Sequence, residues 1–436
     1  MGLSLENAPY DRFDGFKYGA AGMSALILKN LKKAAIRFFK KKKIIADTTD
    51  ERDILLEAII TVPASFGDKE RQDTSLAGFA AGFSVLGLIN EPTAASLTYG
   101  FSSSENCKIM VFDLGGGTLD VTILQMQNGS ANVIASLGEN SIGGINWDKL
   151  IEGYLNEEFV RKFETDIPSD LGWDIQQKAL RAKFDLSETE ETEVEMSHNG
   201  EDLIVKLYRA PLSAVAEVKD QNFYFNVAAR DLLDRCGKMC EKVLANSNLN
   251  WEQIDNVILA GGSCRMNMIP DYLEKISGKE IQRHIEGFDY DTAISIGAAL
   301  FPYQKNNVQD VSSGSIGIEV EKGSKRLIEH LIKKDSPIPL NVSRKFDAPK
   351  NAKVKIYEGE STDPNDYDGA RGELPLDNSD GYVDVTLHVN NNGVLQVFAT
   401  YPPSGQKEMY LVNDKFDFSQ RAVPLRQKIQ SLDVRC

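Results

Sequence analysis

Apolar residues at Met23, Leu26, Ile27, Leu31, Ala34, Ala35 and Phe38 recur at helical spacing, so a long amphipathic helix is predicted to open the ordered chain. A polar interruption over 47–53 ends that pattern. Residues 55–62 then read as a buried strand stopped by Pro63. A helix is expected from about 68 to 83, and 85–89 is a second apolar strand. Glu91-Pro-Thr-Ala-Ala-Ser reads as a helix start, with Pro92 at the first helical position where its missing N–H costs nothing. Strands alternating with helices predict an α/β domain.

The next segment is Lys108-Ile-Met-Val-Phe-Asp-Leu-Gly-Gly-Gly-Thr-Leu-Asp-Val-Thr-Ile-Leu124, in which two apolar, β-branched runs meet at an acidic, glycine-rich turn. The runs 109–112 and 121–124 have the composition of buried strands. Gly115, Gly116 and Gly117 can take positive φ, which would let consecutive backbone N–H groups face one anion. Asp113 would repel a bare phosphate, but it suits a site where Mg²⁺ lies between them, because Mg²⁺ uses few carboxylates, several waters and nucleotide oxygens. Thr118 adds a hydroxyl and Asp120 a second acid. An ordinary tight hairpin accounts for the same glycines, and this segment alone leaves both readings open.

Residues 144–226 carry charged helices and a polar hairpin at His198-Asn-Gly-Glu201, where Asn-Gly signals a tight turn. The α/β pattern resumes with a helix over 227–245 and a strand over 256–260, closed by Gly261-Gly-Ser-Cys-Arg265. A Gly-Gly turn between strand and helix brings backbone amides close to a phosphate or ribose. Polar residues follow Tyr303 as a linker, and short strands at 353–357, 382–389 and 394–399 predict an all-β second domain. Residues 419–436 are expected to form one short helix.

Length predicts two or three domains for the 436 residues. The net charge of -15, from 64 acidic against 49 basic residues, opposes general nucleic-acid binding. No segment has the uninterrupted apolar length of a membrane span, and the N-terminus lacks the pattern of a signal peptide or myristoylation site. The 5 cysteines show no framework spacing, and Cys236 and Cys240 read as reduced core thiols of a cytoplasmic protein.

Taken together, Ile60-Thr-Val-Pro-Ala-Ser-Phe66, Ile89-Asn-Glu-Pro-Thr-Ala-Ala95, Phe112-Asp-Leu-Gly-Gly-Gly-Thr-Leu-Asp120, Ile142-Gly-Gly144, Leu259-Ala-Gly-Gly-Ser-Cys-Arg265 and Asp291-Thr-Ala-Ile-Ser-Ile-Gly-Ala-Ala299 resemble the seventy-kilodalton heat-shock chaperones, the DnaK-like family. Each piece alone is weak, and their family order and spacing carry the resemblance. It implies an α/β actin-like (ribonuclease H-like) ATPase fold over 1–305, with 143–226 as an inserted subdomain. A linker at 306–310, a β-sandwich peptide-binding domain over 311–412 and a tail over 413–436 would follow. ATP or ADP with Mg²⁺ would be the cofactors. The implied partners are unfolded or extended apolar peptides, a J-domain co-chaperone and a nucleotide-exchange factor, with neither nucleic acid nor membrane.

Residue by residue, the resemblance implies that Asp113 orients Mg²⁺ waters while Gly115, Gly116, Gly117 and Thr118 hold terminal phosphates, with Asp120 behind them. Glu91 matches the acid near the attacking water, and Pro63 with Arg71 matches a pair that relays nucleotide state toward the linker. Gly143 and Gly144 match a turn near the nucleotide, and Lys183 and Ser187 match its nucleoside contacts. Gly261, Gly262, Ser263 and Arg265 match the adenosine turn, and Asp291 a second acid on that side. Ile318, Val320, Phe346, Ala352 and Val354 align with the apolar peptide pocket. Without the resemblance these five read as strand core, Glu91 as a helix-start acid and Arg265 as a surface charge.

The sequence also departs from the family. A second phosphate hairpin of Asp-Leu-Gly-Thr-Thr type and a lysine that assists hydrolysis are not found in it, which predicts an incomplete first lobe with an open sheet edge and impaired ATP hydrolysis. Whether the chain is an enzyme is thus left undecided. Leu180 and Phe184 replace an acid and an arginine at the base, and Ser65 an aromatic residue. The linker lacks the family's leucines, so weak coupling between the domains is expected, and the helical lid is not expected. The leading reading is an ATP-binding chaperone of extended apolar segments. The alternative is a non-catalytic peptide-binding or scaffold protein, a pseudo-ATPase. A sugar-kinase-type enzyme would need both hairpins and would leave the β-domain unexplained.

Overall fold

The computed structural model describes residues 12–13, 16–17, 19–51, 54–102, 106–127, 130–210, 222–281, 283, 290, 292–304, 308–323, 325–376, 381–402, 405–410 and 418–431. It divides into two compact units, one formed by Ala95–Ile296 and the other by the chain on either side.

The second unit begins with the short antiparallel pair β1 (Arg12–Phe13) and β2 (Phe16–Lys17), followed by helix α1 (Gly19–Lys41). Strands β3 (Leu56–Val62) and β4 (Phe83–Asn90) are parallel, as the intervening helix α2 (Asp68–Ala81) requires, and α3 (Glu91–Ser102) follows directly. α1 is a helix as its periodicity predicts, but it turns a different face inward. Ala21 and Ala25 pack with Leu76, Ala77 and Ala80 of α2, while Met23, Ile27, Leu31 and Phe38 are exposed. The small side chains win the contact because they let two helix backbones approach.

The first unit contains β5 (Cys107–Leu114), β6 (Leu119–Gln127), β7 (Ser130–Glu139), α4 (Gly144–Phe163), α5 (Gly172–Glu188), β8 (Glu191–His198), β9 (Glu201–Tyr208) and β10 (Phe223–Tyr224). It continues with α6 (Phe225–Ala228), α7 (Arg230–Asn246), β11 (Asn256–Ala260) and α8 (Met268–Ser277). Strand order is β11-β5-β6-β7, with β11 parallel to β5 and the others antiparallel. Phe112, Leu114, Val121 and Ile123 from this sheet share one core with Trp147, Ile151, Leu155 and Phe159 of α4. The Asn-Gly hairpin forms where predicted, with φ of 53° at Asn199 and 82° at Gly200, so both turn residues are left-handed. Cys236 and Cys240 are free, buried thiols of α7, and burial pushes both pKa values up, which leaves them inert.

Helix α9 (Ala293–Gln304) leads back into the second unit, where Gly297 lies so close to Ala94 that a Cβ would strike its carbonyl. Of the expected linker, Asn306 and Asn307 lie outside the described residues, and from Val308 the chain is a strand, β12 (Val308–Val311). β13 (Ile316–Lys322), β14 (Lys325–Ile332), β15 (Pro337–Ile338), β16 (Leu340–Ala348), β17 (Lys353–Glu358), β18 (Gly372–Pro375), β19 (Gly381–Val389), β20 (Leu395–Tyr401) and β21 (Gly405–Tyr410) follow. β12 pairs with β15, and the rest form two four-stranded antiparallel sheets, β14-β13-β17-β18 and β16-β19-β20-β21. Ile318, Val354 and Ile356 from one sheet share a core with Val385, Leu387 and Val397 from the other. Helix α10 (Phe418–Ser431) ends the described chain, packing Leu425 and Ile429 against α1 and α2. Among the described residues no helix is long and apolar enough to cross a membrane.

Candidate functional site

Strands β5 and β6 place Asp113 directly opposite Asp120, and β11 places Ala260 beside Asp113. Asp113 is only 6% exposed, and its Oδ2 has no hydrogen-bond partner among the described residues. Burial, reinforced by the Asp120 charge, pushes its carboxyl up to about 7. An acid left in this state fits a bound cation, whose charge supplies what folding does not. Among the described residues no three His, Cys, Asp or Glu side chains converge as a closed metal centre. A Mg²⁺ ion here would therefore rest on Asp113, water and ligand oxygens, which is its usual habit.

The turn after Asp113 closes with the Gly115 N–H donating to the Thr118 carbonyl at 3.0 Å. None of Gly115, Gly116 and Gly117 has a left-handed φ, contrary to the expectation from their sequence. Their value is space. A Cβ at Gly116 or Gly117 would meet nothing within 4 Å, so this surface is open to a ligand. Behind it the glycines are needed for close packing. Gly144 and Ile145 at the start of α4 donate to the carbonyls of Gly115 and Gly116 at 3.0 and 2.9 Å. A Cβ on Gly143 would strike the Gly117 backbone, and one on Gly144 the Ser263 hydroxyl. Gly261, at φ 82°, could carry no Cβ without striking the Leu114 carbonyl.

Of the remaining predicted residues of this unit, Ser263 and Lys183 meet the glycine turns. Ser263 donates to the Gly115 carbonyl at 2.9 Å. Lys183, buried on α5, donates to the Gly144 carbonyl at 3.2 Å and pairs with Asp148 at 2.7 Å. Ser187 donates to the Lys183 carbonyl at 2.9 Å, and Asn267 donates to the Ser187 carbonyl at 3.0 Å. Gly262 opens the 3-10 turn Gly262–Arg265, and the Arg265 guanidinium stands 5.9 Å from the Tyr290 ring centre. Asp291 lies outside the described residues. The structure thus gathers Asp113, Thr118, Asp120 and both glycine turns around the end of one sheet. Asp148 escaped sequence reasoning, because nothing local pairs it with a lysine on another helix.

Pro63, Arg71 and Glu91 belong to the second unit. Pro63 ends β3 and Glu91 begins α3. Arg71 is buried, with Nε donating to the Phe66 carbonyl at 2.9 Å and Nη2 to the Asn90 side chain at 2.6 Å. The Asn90 amide donates to Asp310 at 2.7 Å, which carries the network into β12. Asp68 accepts from the Leu395 N–H at 2.9 Å and from Gln72 at 2.6 Å. A small cavity lies among Asp68, Arg71, Ser312, Glu358, Gly393 and Leu395. The expected weak coupling rested on missing leucines, whereas here polar side chains make the contact. In the β-domain, Ile318 and Val354 are core residues on neighbouring strands, Phe346 and Ala352 pack partly buried against that core, and Val320 is half-buried on β13.

Residues 8–428 match the family described as Hsp70 protein. The chaperone protein DnaK of Thermosipho melanesiensis is 31% identical over 434 residues, covering 94% of this chain and 69% of the relative. That of Thermosipho africanus is 31% identical over 431 residues (94% and 68%), and that of Thermotoga neapolitana 30% over 434 (94% and 69%). With a match across nearly its whole length, the chain belongs to the Hsp70 family.

Proposed function

We propose that this protein is an ATP- and Mg²⁺-binding chaperone that holds extended apolar segments of unfolded proteins. The observation that carries the reading is the buried Asp113, whose Oδ2 has no hydrogen-bond partner among the described residues, beside a glycine turn whose outer surface is open. Mg²⁺, when bound, supplies the charge that lets phosphate approach this acid. Asp113 orients the metal's water, Gly115, Gly116, Gly117 and Thr118 contribute turn amides and a hydroxyl, and Asp120 backs the acid. Gly143, Gly144, Gly261, Gly262 and Ser263 shape the floor, Lys183, Ser187, Arg265 and Asp291 serve the nucleoside, and Glu91 serves the attacking water. Pro63 and Arg71 form the relay toward the β-domain.

The finer fold reading is an actin-like domain with an incomplete first lobe, followed by a β-sandwich. It is supported by the two-stranded β3–β4 sheet among the described residues and by the single core shared by the two four-stranded sheets. In the sandwich, Ile318, Val320, Phe346, Ala352 and Val354 flank the groove where a peptide adds main-chain hydrogen bonds. A J-domain co-chaperone and a nucleotide-exchange factor are the matching partners. The domain limits read from the sequence, 1–305, 306–310 and 311–412, belong to the same proposal.

Hydrolysis is expected to be slow. Phosphoryl transfer depends on positioning and charge stabilisation from several sides, and the sequence carries one phosphate hairpin of this type. A single lost donor of the oxyanion type is worth roughly 3 kcal/mol. That observation also favours the second reading, a peptide-binding pseudo-ATPase. Titration calorimetry of ADP and ATP with and without Mg²⁺, on folded parent and Asp113→Ala, separates them. Mg²⁺-dependent binding lost in the variant supports the chaperone reading, and no binding by the folded parent supports the pseudo-ATPase. Steady ATP turnover abolished by Asp113→Asn would overturn the expectation of slow hydrolysis.

A further inference from the structure

Several elements of the second unit meet at the first turn of α2, and the charges they bring together do not balance. α2 contributes Asp68, Glu70 and Arg71, β12 contributes Asp310, β17 ends in Glu358, and Arg371 stands just before β18. Arg371 is half exposed and 3.9 Å from Glu358, whereas Arg71 is buried. Arg71 directs its N–H groups to neutral acceptors, the Phe66 carbonyl, the Asn90 side chain and the Asn392 carbonyl. Each side's acid holds a backbone amide of the other side. The Asp68 N–H donates to the Glu358 carboxylate, and the Asp68 carboxylate accepts from the Leu395 N–H at 2.9 Å. A Cβ on Gly67 would stand 2.9 Å from Glu358 Oε1, so this carboxylate lies hard against the helix start.

One carboxylate at a helix N-terminus is favourable. Two that line the same small cavity repel when both are ionised, and a proton on either removes the conflict. We propose that this contact is a proton-operated latch between the β-domain and α2. It closes as the Asp68 and Glu358 pair takes up one proton from solvent, and it loosens once both acids are ionised. The latch stands on the second unit alone, whether or not the nucleotide reading holds. Burial outweighs the hydrogen bonds that Asp68 accepts and pushes its carboxyl up to about 7, and burial raises Glu358 and Asp310 as well. With the contact open, Asp68 returns to water and to its ordinary 3.8. The closed form therefore binds the proton more tightly. Its advantage is complete below about 3.8 and is lost as pH rises through about 7.

The test is hydrogen exchange on the full chain, with each rate divided by its intrinsic value at that pH. It follows the amides of Leu395 and Leu88, which donate across the contact to Asp68 and to the Asn392 side chain. The Val385 amide, inside β19, reports on the fold itself. One proton taken up on closing makes protection at Leu395 and Leu88 fall about tenfold from pH 6 to pH 8, with Val385 steady. A variant carrying Asp68→Asn and Glu358→Gln keeps both side-chain shapes and removes both charges. Its protection at the two amides should change less than about twofold over the same range. A parent that changes less than about twofold overturns the latch. So does a loss that Val385 shares, or the same tenfold loss in the double variant.

Discussion

Asp113 in the first unit and Asp68 in the second are both pushed up to about 7 by burial, yet their surroundings are opposite. Asp68 is satisfied at both oxygens, by the Leu395 N–H and Gln72, and lies in the same network as the buried Arg71. Asp113 faces a like charge, keeps one oxygen without a hydrogen-bond partner among the described residues and borders open glycine surface. The same shift therefore has two meanings. Where the partners come from the protein, the acid serves a contact between β-domain and α2; where they do not, it is the acid proposed to meet a ligand. Perturbed acids gather at functional sites but also in structural networks, and hydrogen-bond satisfaction separates the two.

The comparison breaks most visibly at Arg71. Asp310, Glu358 and Asp68 all lie within its electrostatic reach, so Arg71→Ala leaves buried acids without their cation. The expected loss is about 3–5 kcal/mol, measured by urea unfolding. A loss below 1 kcal/mol would show that the network contributes little.

Gly143→Ala tests the packing beneath the turn proposed to hold phosphate. The new methyl strikes the Gly117 backbone, which cannot give way as a flexible side chain would. A destabilisation of about 1–3 kcal/mol is expected, with MgADP binding lost. Gly116→Ala, pointing into open space, should leave stability nearly unchanged, so the pair of variants separates floor from surface.

The pH dependence follows from the sign of the two shifts. Each acid stands at about 7 in the folded state against an ordinary 3.8, so the folded state binds the proton more tightly. The stabilisation is complete below about 3.8, is lost as pH rises and is gone above about 7. Within that window each group contributes a slope of about 1.4 kcal/mol per pH unit. Urea midpoints from pH 5 to 8 should fall less steeply in Asp68→Asn and Asp113→Asn than in the parent. Equal slopes in all three would show that other groups govern the dependence.

The smallest effect sharpens the contrast. At pH 8, Asp113→Asn removes a buried charge and should stabilise the apoprotein by about 1–2 kcal/mol while abolishing Mg²⁺-dependent nucleotide binding. Asp68→Asn should leave that binding intact. A destabilised Asp113→Asn would mean that the acid has a structural partner.

Much of this was legible locally. Apolar runs and turn residues located β3, β4, β5, β6 and β11 to within three residues at either end, because burial dictates side-chain type along a strand. The candidate site was legible as residue types, an acid before a glycine run and a Gly-Gly turn after a strand. What those glycines do was not. Sequence suggests left-handed backbone for Gly115, Gly116 and Gly117, which none of them adopts, whereas at Gly143 and Gly144 another segment's approach excludes a side chain, and at Gly261 that approach adds to a positive φ.

The sequence alone determined the order of strands and helices, the two glycine turns and the acids between them, since these follow from local propensity and periodicity. Only the tertiary structure decided which surfaces met. It turned the alanines of α1 inward in place of the larger residues, and paired Lys183 with Asp148. It also set Gly393, legible only as the end of an Asn-Asn-Gly turn, against the Arg71 side chain. Each of these depends on groups distant in the chain coming within contact distance, and a one-dimensional pattern does not encode which distant surfaces will meet.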